Sequence, residues 1–157
     1  MNGNRIATYI STLFGVGTLP MAPGTWGSAA ALPLAWILVS VGGAWLLAAA
    51  IMVVFALGWW ASAVYMKAGA DHDASEIVID EVVGQWIALL LMPLNHMGYA
   101  IAFALFRLFD IWKPGPVRWV ETRLKGGLGV MADDVVAGAF AAIIVGILHW
   151  LAPAAMP

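Results

Sequence analysis

Long uncharged stretches divide the chain. No Asp, Glu, Lys or Arg occurs between Arg5 and Lys67, between Glu81 and Arg107, or after Asp134. Fifteen of the sixteen charged residues therefore fall between Lys67 and Asp134, in three clusters set between apolar segments. A hydrocarbon core needs about 20 apolar helical residues to cross it. Residues 44–66 meet that length, and residues 135–152 come close to it. Three shorter arms, 26–39, 81–92 and 98–110, flank the turn signals Ser40-Val41-Gly42-Gly43 and Pro93-Leu94-Asn95-His96-Met97-Gly98. The shorter apolar runs span only roughly 16–21 Å as helix and read as helical hairpins. The pattern predicts an all-α protein: one membrane-associated helical bundle over residues 1–157, with one or more transmembrane helices and short helical hairpins.

Composition supports that reading. Of 157 residues 63% are hydrophobic and 10% charged, against roughly 25% charged in a soluble domain. Mean hydropathy is +0.92. A net charge of −2 leaves no basic footprint for nucleic acid. Without cysteine there is no disulfide scaffold, thiolate nucleophile or Cys-ligated zinc. Several of the nine tryptophans lie at the ends of apolar runs, which suits a headgroup belt as well as core packing. The loop from Arg107 to Lys125 holds five of the seven basic residues, so the positive-inside rule puts it in the cytoplasm. Pro20, Pro23 and Gly24 interrupt the first apolar region too early for a cleaved leader.

Four segments carry chemistry. Gly15 to Ser28 is rich in glycine and proline and enters a helix. Backbone amides there suit a phosphate, although Thr25 or Ser28 could equally act as a plain N-cap. In Asp71-His72-Asp73-Ala74-Ser75-Glu76, the acids read as caps of a helix start, and Asp71-His72-Asp73 has a faint likeness to an aspartyl-phosphate motif. Asp80 and Glu81 are different, because they run directly into an apolar segment where an ionised group is costly. Arg107, Asp110 and Lys113 recur every three residues and share a helix face that Pro114 ends. Gly126, Gly127 and Gly129 open the last helix, and Asp133 and Asp134 precede its uncharged run. Carboxylates without cysteine point to a hard cation, Mg²⁺ or Mn²⁺. Arginine and lysine beside them suit phosphate oxygens. At the headgroup plane, these parts describe metal-assisted chemistry on a phospholipid.

With those motifs assembled, the chain resembles the phosphatidylglycerophosphatase A family. The resemblance rests on APGTWGS (22–28), IVIDEVVG (77–84), FRLFDIWKPGP (106–116) and GGLGVMADDVVAG (126–138), in order and over nearly the whole chain. It implies an all-helical fold, Mg²⁺ dependence, a place in the bacterial inner membrane and phosphatidylglycerophosphate as substrate, and the positive-inside reading turns the site to the cytoplasm. It marks Asp80, Glu81, Asp133 and Asp134 as metal or catalytic carboxylates, with Asp110 beside them. Arg107 and Lys113, the Pro23-Gly24-Thr25 loop with Ser28, and Gly126 with Gly127 become the expected substrate contacts. The competing class is a small cation-coupled membrane transporter, which predicts charges buried mid-span. The aspartate pattern of the phospholipid phosphotransferases is absent, and the three histidines lack the setting of a histidine-nucleophile phosphatase.

Overall fold

The computed structural model describes residues 3–68 and 74–152. Asp71, His72 and Asp73 lie outside the described residues. Those described form six helices and two short 3-10 turns, with no strand among them. The helices are α1 (Gly3–Ser11), α2 (Pro23–Lys67), α3 (Ile79–Leu89), α4 (His96–Trp112), α5 (Gly115–Arg123) and α6 (Gly126–Leu151). The fold is all-α, as the hydrophobic pattern predicts.

Helix α2 is two arms rather than one rod. Gly43 breaks it with φ 65° and ψ −166°, a region that only glycine enters readily. Leu34 of the first arm and Val54 and Leu57 of the second line one apolar cavity. A straight helix would separate Leu34 from Val54 by about 30 Å, so the chain reverses at Gly43. Each arm, 23–42 and 44–67, is thus about 30 Å or longer, the thickness of a hydrocarbon core. The first arm is longer than the 26–39 expected from sequence, because Pro23 at its first turn and Ser40 to Gly42 at its end are helical. Helix α2 and α6 are both long and apolar enough to cross a membrane.

Helix α3, about 16 Å long, is too short to cross. It is buried between α2 and α6, with only Glu81 and Ile87 of its eleven residues partly exposed. Close approach makes this possible. A Cβ on Gly138 of α6 would strike the Gly84 backbone, and one on Gly84 would lie 2.8 Å from the Asp134 carbonyl. Small residues at such crossings let apolar helices pack through van der Waals contact alone. Trp86 Nε1 donates to the Ala31 carbonyl at 2.9 Å, satisfying a fully internal indole. Around this pairing sit Leu47, Leu89, Phe106 and Met131, all fully buried.

Outside the core the surface is unusually apolar. Trp45 is 87% exposed, and Val41, Met52, Ile111 and Trp150 are at least 70% exposed. Seven of the nine tryptophans are exposed, with only Trp86 buried and Trp36 intermediate. Exposure removes core packing as the explanation for those seven. Exposed apolar surface of this extent belongs to a membrane protein. Turn 90–95 lies beside Gly43, since Leu90 and Leu91 share a cavity with Ala44 and Trp45. Trp36 packs on His96 and Tyr99, with ring centroids 4.6 and 5.1 Å apart.

Candidate active site

Four helix termini converge at the opposite end from Gly43. The first arm of α2 begins there, with Ala22 in the left-handed region and Pro23 at the first helical position. A Cβ on Gly24 would collide with Glu81 Oε1, so glycine is what lets this helix start reach the acids. Helix α3 is aimed by its entry: Val78 N–H donates to the Ser11 carbonyl at 2.9 Å, and Tyr65 donates to Glu76 just before it. Helix α4 arrives with Arg107 and Asp110, and α6 leaves with Asp133 and Asp134 in its third turn.

Asp80, Glu81 and Asp134 each offer a carboxylate oxygen within 4.8 Å of the others. Asp80 is 8% exposed and Asp134 3%. Asp110 lies within hydrogen-bonding reach of Asp134. Glu81 Oε2 and Asp134 Oδ2 are buried and have no hydrogen-bond partner. Converging buried carboxylates with unpartnered oxygens repel one another and are costly to desolvate. A cation between them removes both costs, and a donor set of oxygens alone fits a hard divalent ion. The residues therefore fit a metal.

Arg107 flanks this cluster on one side. Its Nη1 is 2.6 Å from Asp110 Oδ2 and 3.9 Å from Glu81 Oε1, while Nε has no partner. Ser28 donates to the Gly24 carbonyl at 2.9 Å and faces Arg107 Nη1 at 3.5 Å. It thus braces the arginine against the start of α2. Pro23 and Thr25 complete that start, Thr25 N–H closing a turn onto the Ala22 carbonyl at 2.9 Å.

Lys113 stands on the other side. It caps α4 in the left-handed conformation, φ 48°, a strained setting of the kind found at functional sites. Its Nζ is 2.7 Å from Asp133 Oδ2 and 2.6 Å from Glu121 Oε1. Burial pulls the ammonium down, but hydrogen bonds and charges from Asp133 and Glu121 outweigh it and hold Lys113 above the usual lysine range. Asp133 is thus turned to the lysine and is not one of the three clustered acids. Beyond Lys113 opens a cavity of about 320 Å³, which Gly126 and Asp80 help to line.

Gly127 does not reach this cavity. Its Cα faces the second arm of α2, where a Cβ would lie 2.5 Å from Ala63 N and 2.6 Å from the Trp59 carbonyl. It is a packing glycine. Sequence reasoning also passed over Glu121 as a site residue and over Gln85, fully buried with neither amide atom partnered. Glu121 sits eight residues beyond Lys113, across Pro114-Gly115-Pro116, a spacing with no helical signature. Gln85 follows Glu81 by one helical turn, which is the signal that could have flagged it.

The model of the family described as Phosphatidylglycerophosphatase A matches residues 9–149. Phosphatidylglycerophosphatase A of Escherichia coli K12 is 39% identical over 139 residues, covering 88% of this chain and 78% of that protein. Phosphatidylglycerophosphatase A of Haemophilus influenzae is 42% identical over 143 residues, covering 88% and 86%. A Bacteroides thetaiotaomicron protein named "putative phosphatidylinositol-3-phosphatase" is 42% identical over 149 residues, covering 90% and 92%. No solved structure matches the chain. The matched span 9–149 takes in every acidic and basic side chain of the site just described, and the chain belongs to the phosphatidylglycerophosphatase A family.

Proposed function

We propose that the protein hydrolyses the terminal phosphate monoester of phosphatidylglycerophosphate, giving phosphatidylglycerol and inorganic phosphate, with Mg²⁺ as its cofactor. It does so at the cytoplasmic face of a bacterial inner membrane. The observation that carries the reading is the Asp80–Glu81–Asp134 cluster, set between Arg107 and Lys113 at the polar end of an apolar bundle. Family membership supplies the lipid monoester, and the basic loop from Arg107 to Lys125 favours the cytoplasmic side.

Asp80, Glu81 and Asp134 hold the cation. When bound, Mg²⁺ neutralises phosphoryl oxygens and makes water more acidic. The chain's own groups do the rest. Arg107, fixed by Asp110 at 2.6 Å, donates to phosphoryl oxygens through nitrogens its partners leave free. The start of α2 adds the Gly24 backbone N–H, since Pro23 carries none and the Thr25 and Trp26 N–H groups are bonded to the Ala22 carbonyl. Asp134 accepts a proton from water through the carboxylate oxygen that it does not give to the cation. The water oxygen bonds to phosphorus in line as the bond to the glycerol oxygen breaks, and the proton ends on that oxygen. A phosphorylated aspartate is the competing route.

Phosphate release by the purified protein in detergent micelles tests the reading. Phosphatidylglycerophosphate, phosphatidylinositol 3-phosphate and phosphatidic acid are compared, each with Mg²⁺ and with EDTA. The inositol lipid is included because one relative bears that name. Mg²⁺-dependent release, fastest from phosphatidylglycerophosphate, is the expected result. A folded protein that releases phosphate from none of them overturns the phosphatase reading and favours ion transport. Release that persists in EDTA overturns the metal.

A further inference from the structure

The cavity beyond Lys113 shares Asp80 with the carboxylate cluster but has a chemistry of its own. Its walls are divided. Met66, Leu124 and Val130 make one side apolar, and Met66 and Leu124 are 42% and 38% exposed at its rim. Asp80, Glu121, Asp133 and Lys113 make the other side polar. Such a division matches a lipid headgroup entering beside its chains.

The polar side is rich in acceptors. Three carboxylates face one ammonium, and two of them, on Glu121 and Asp133, already hold that ammonium at 2.6 and 2.7 Å. A second phosphate would meet surplus negative charge. A hydroxyl would not, because it brings a donor to a carboxylate. Asp133 lines the cavity and is 7% exposed, and its Oδ1 is buried without a hydrogen-bond partner. A buried charged oxygen left unpaired is costly, and a ligand hydroxyl is the group that satisfies it without adding charge.

We propose that this cavity is the subsite for the glycerol of the lipid headgroup, with Asp133 and Glu121 supplying the acceptors for its one free hydroxyl and Lys113 positioning both carboxylates. The inference rests on the phosphatase reading, since a monoester at Asp80 places the polyol that bears it next door. It gives Asp133 a part in choosing the substrate rather than in holding the metal. The ligand class is a headgroup with a free hydroxyl on the carbon beside the phosphate-bearing one, glycerol or a larger polyol.

The test measures kcat/KM on phosphatidylglycerophosphate and on an analogue with propane-1,3-diol in place of the headgroup glycerol. The two differ by one hydroxyl. The wild-type protein is expected to favour the natural lipid by at least about tenfold, because a site built to bond a hydroxyl rejects the analogue lacking it. Glu121→Ala, at a half-exposed position that folding tolerates, is expected to bring that ratio down several-fold. Val130→Phe, which fills the cavity without removing a polar group, is expected to lower kcat/KM on the glycerol lipid more than on phosphatidic acid. Wild-type release at equal rates from both lipids overturns the subsite alone. So does an equal loss on all lipids in both variants. No release from any lipid overturns the reaction and the subsite with it.

Discussion

Two cations flank the same carboxylates and are built in opposite ways. Arg107 lies within α4, and its closest partner, Asp110, is one turn along the same helix. That pair is set by local geometry, so the guanidinium is aimed before anything else docks. Lys113 sits six residues later, past the last turn, in a left-handed cap. Its partners Glu121 and Asp133 come from α5 and α6. Nothing local aims it, and it stitches three helices together. Arg107 therefore keeps spare donors for a ligand, whereas Lys113 spends its charge on the frame of the site.

The comparison makes graded predictions. Arg107→Lys keeps the charge but loses the planar fork, so kcat is expected to fall at least about 100-fold with little change in melting temperature. Near wild-type turnover in that variant would erase the distinction between the two cations. Lys113→Met leaves Asp133 buried without its ion pair and is expected to cost about 2 kcal/mol of stability, read as a lower urea midpoint. Because the folded Lys113 titrates above its ordinary value of 10.5, its pairing is fully present below that pH and is lost only as pH rises through the raised value. The stability difference between wild type and Lys113→Met should accordingly be flat from neutral pH up to the ordinary lysine range. A difference that shrinks within that interval would show Lys113 losing its proton early. The smallest effect belongs to Glu121→Gln: a half-exposed ion pair contributes little, and stability should stay within about 0.5 kcal/mol of wild type in a thermal melt.

Much of this molecule is legible in its sequence because the membrane imposes a coarse grammar. Charge-free stretches mark α2 and α6, and Ser40 to Gly43 marks the place where α2 breaks, since glycine alone reaches the conformation found at Gly43. Asp80, Glu81 and Asp134 stand out because ionised groups at an apolar boundary need a reason. The rest depends on tertiary approach. Gly126 and Gly127 are adjacent and look alike, yet one lines a cavity and the other admits the backbone of α2. Gly17, inside the stretch read as phosphate-binding, packs on the Glu76 backbone. Asp133 and Asp134 are neighbours a third of a turn apart, so one faces Lys113 and the other the acid cluster. Adjacent identical letters carry different roles here, and only the helix phase tells them apart.

The reversal at Gly43 has a consequence for how such a protein is made. The two arms are joined by this one residue, with nothing within 4 Å of its missing Cβ, and the chain returns to the end where α2 began. No Asp, Glu, Lys or Arg lies between the two ends of α2, so no ionised group has to be carried through hydrocarbon, a passage that costs several kcal/mol per charge. Glu76 and Glu81, which follow Lys67, therefore lie at the same end of the bundle as the start of α2. One glycine in the far turn thereby keeps the chemistry of the opposite end on a single side.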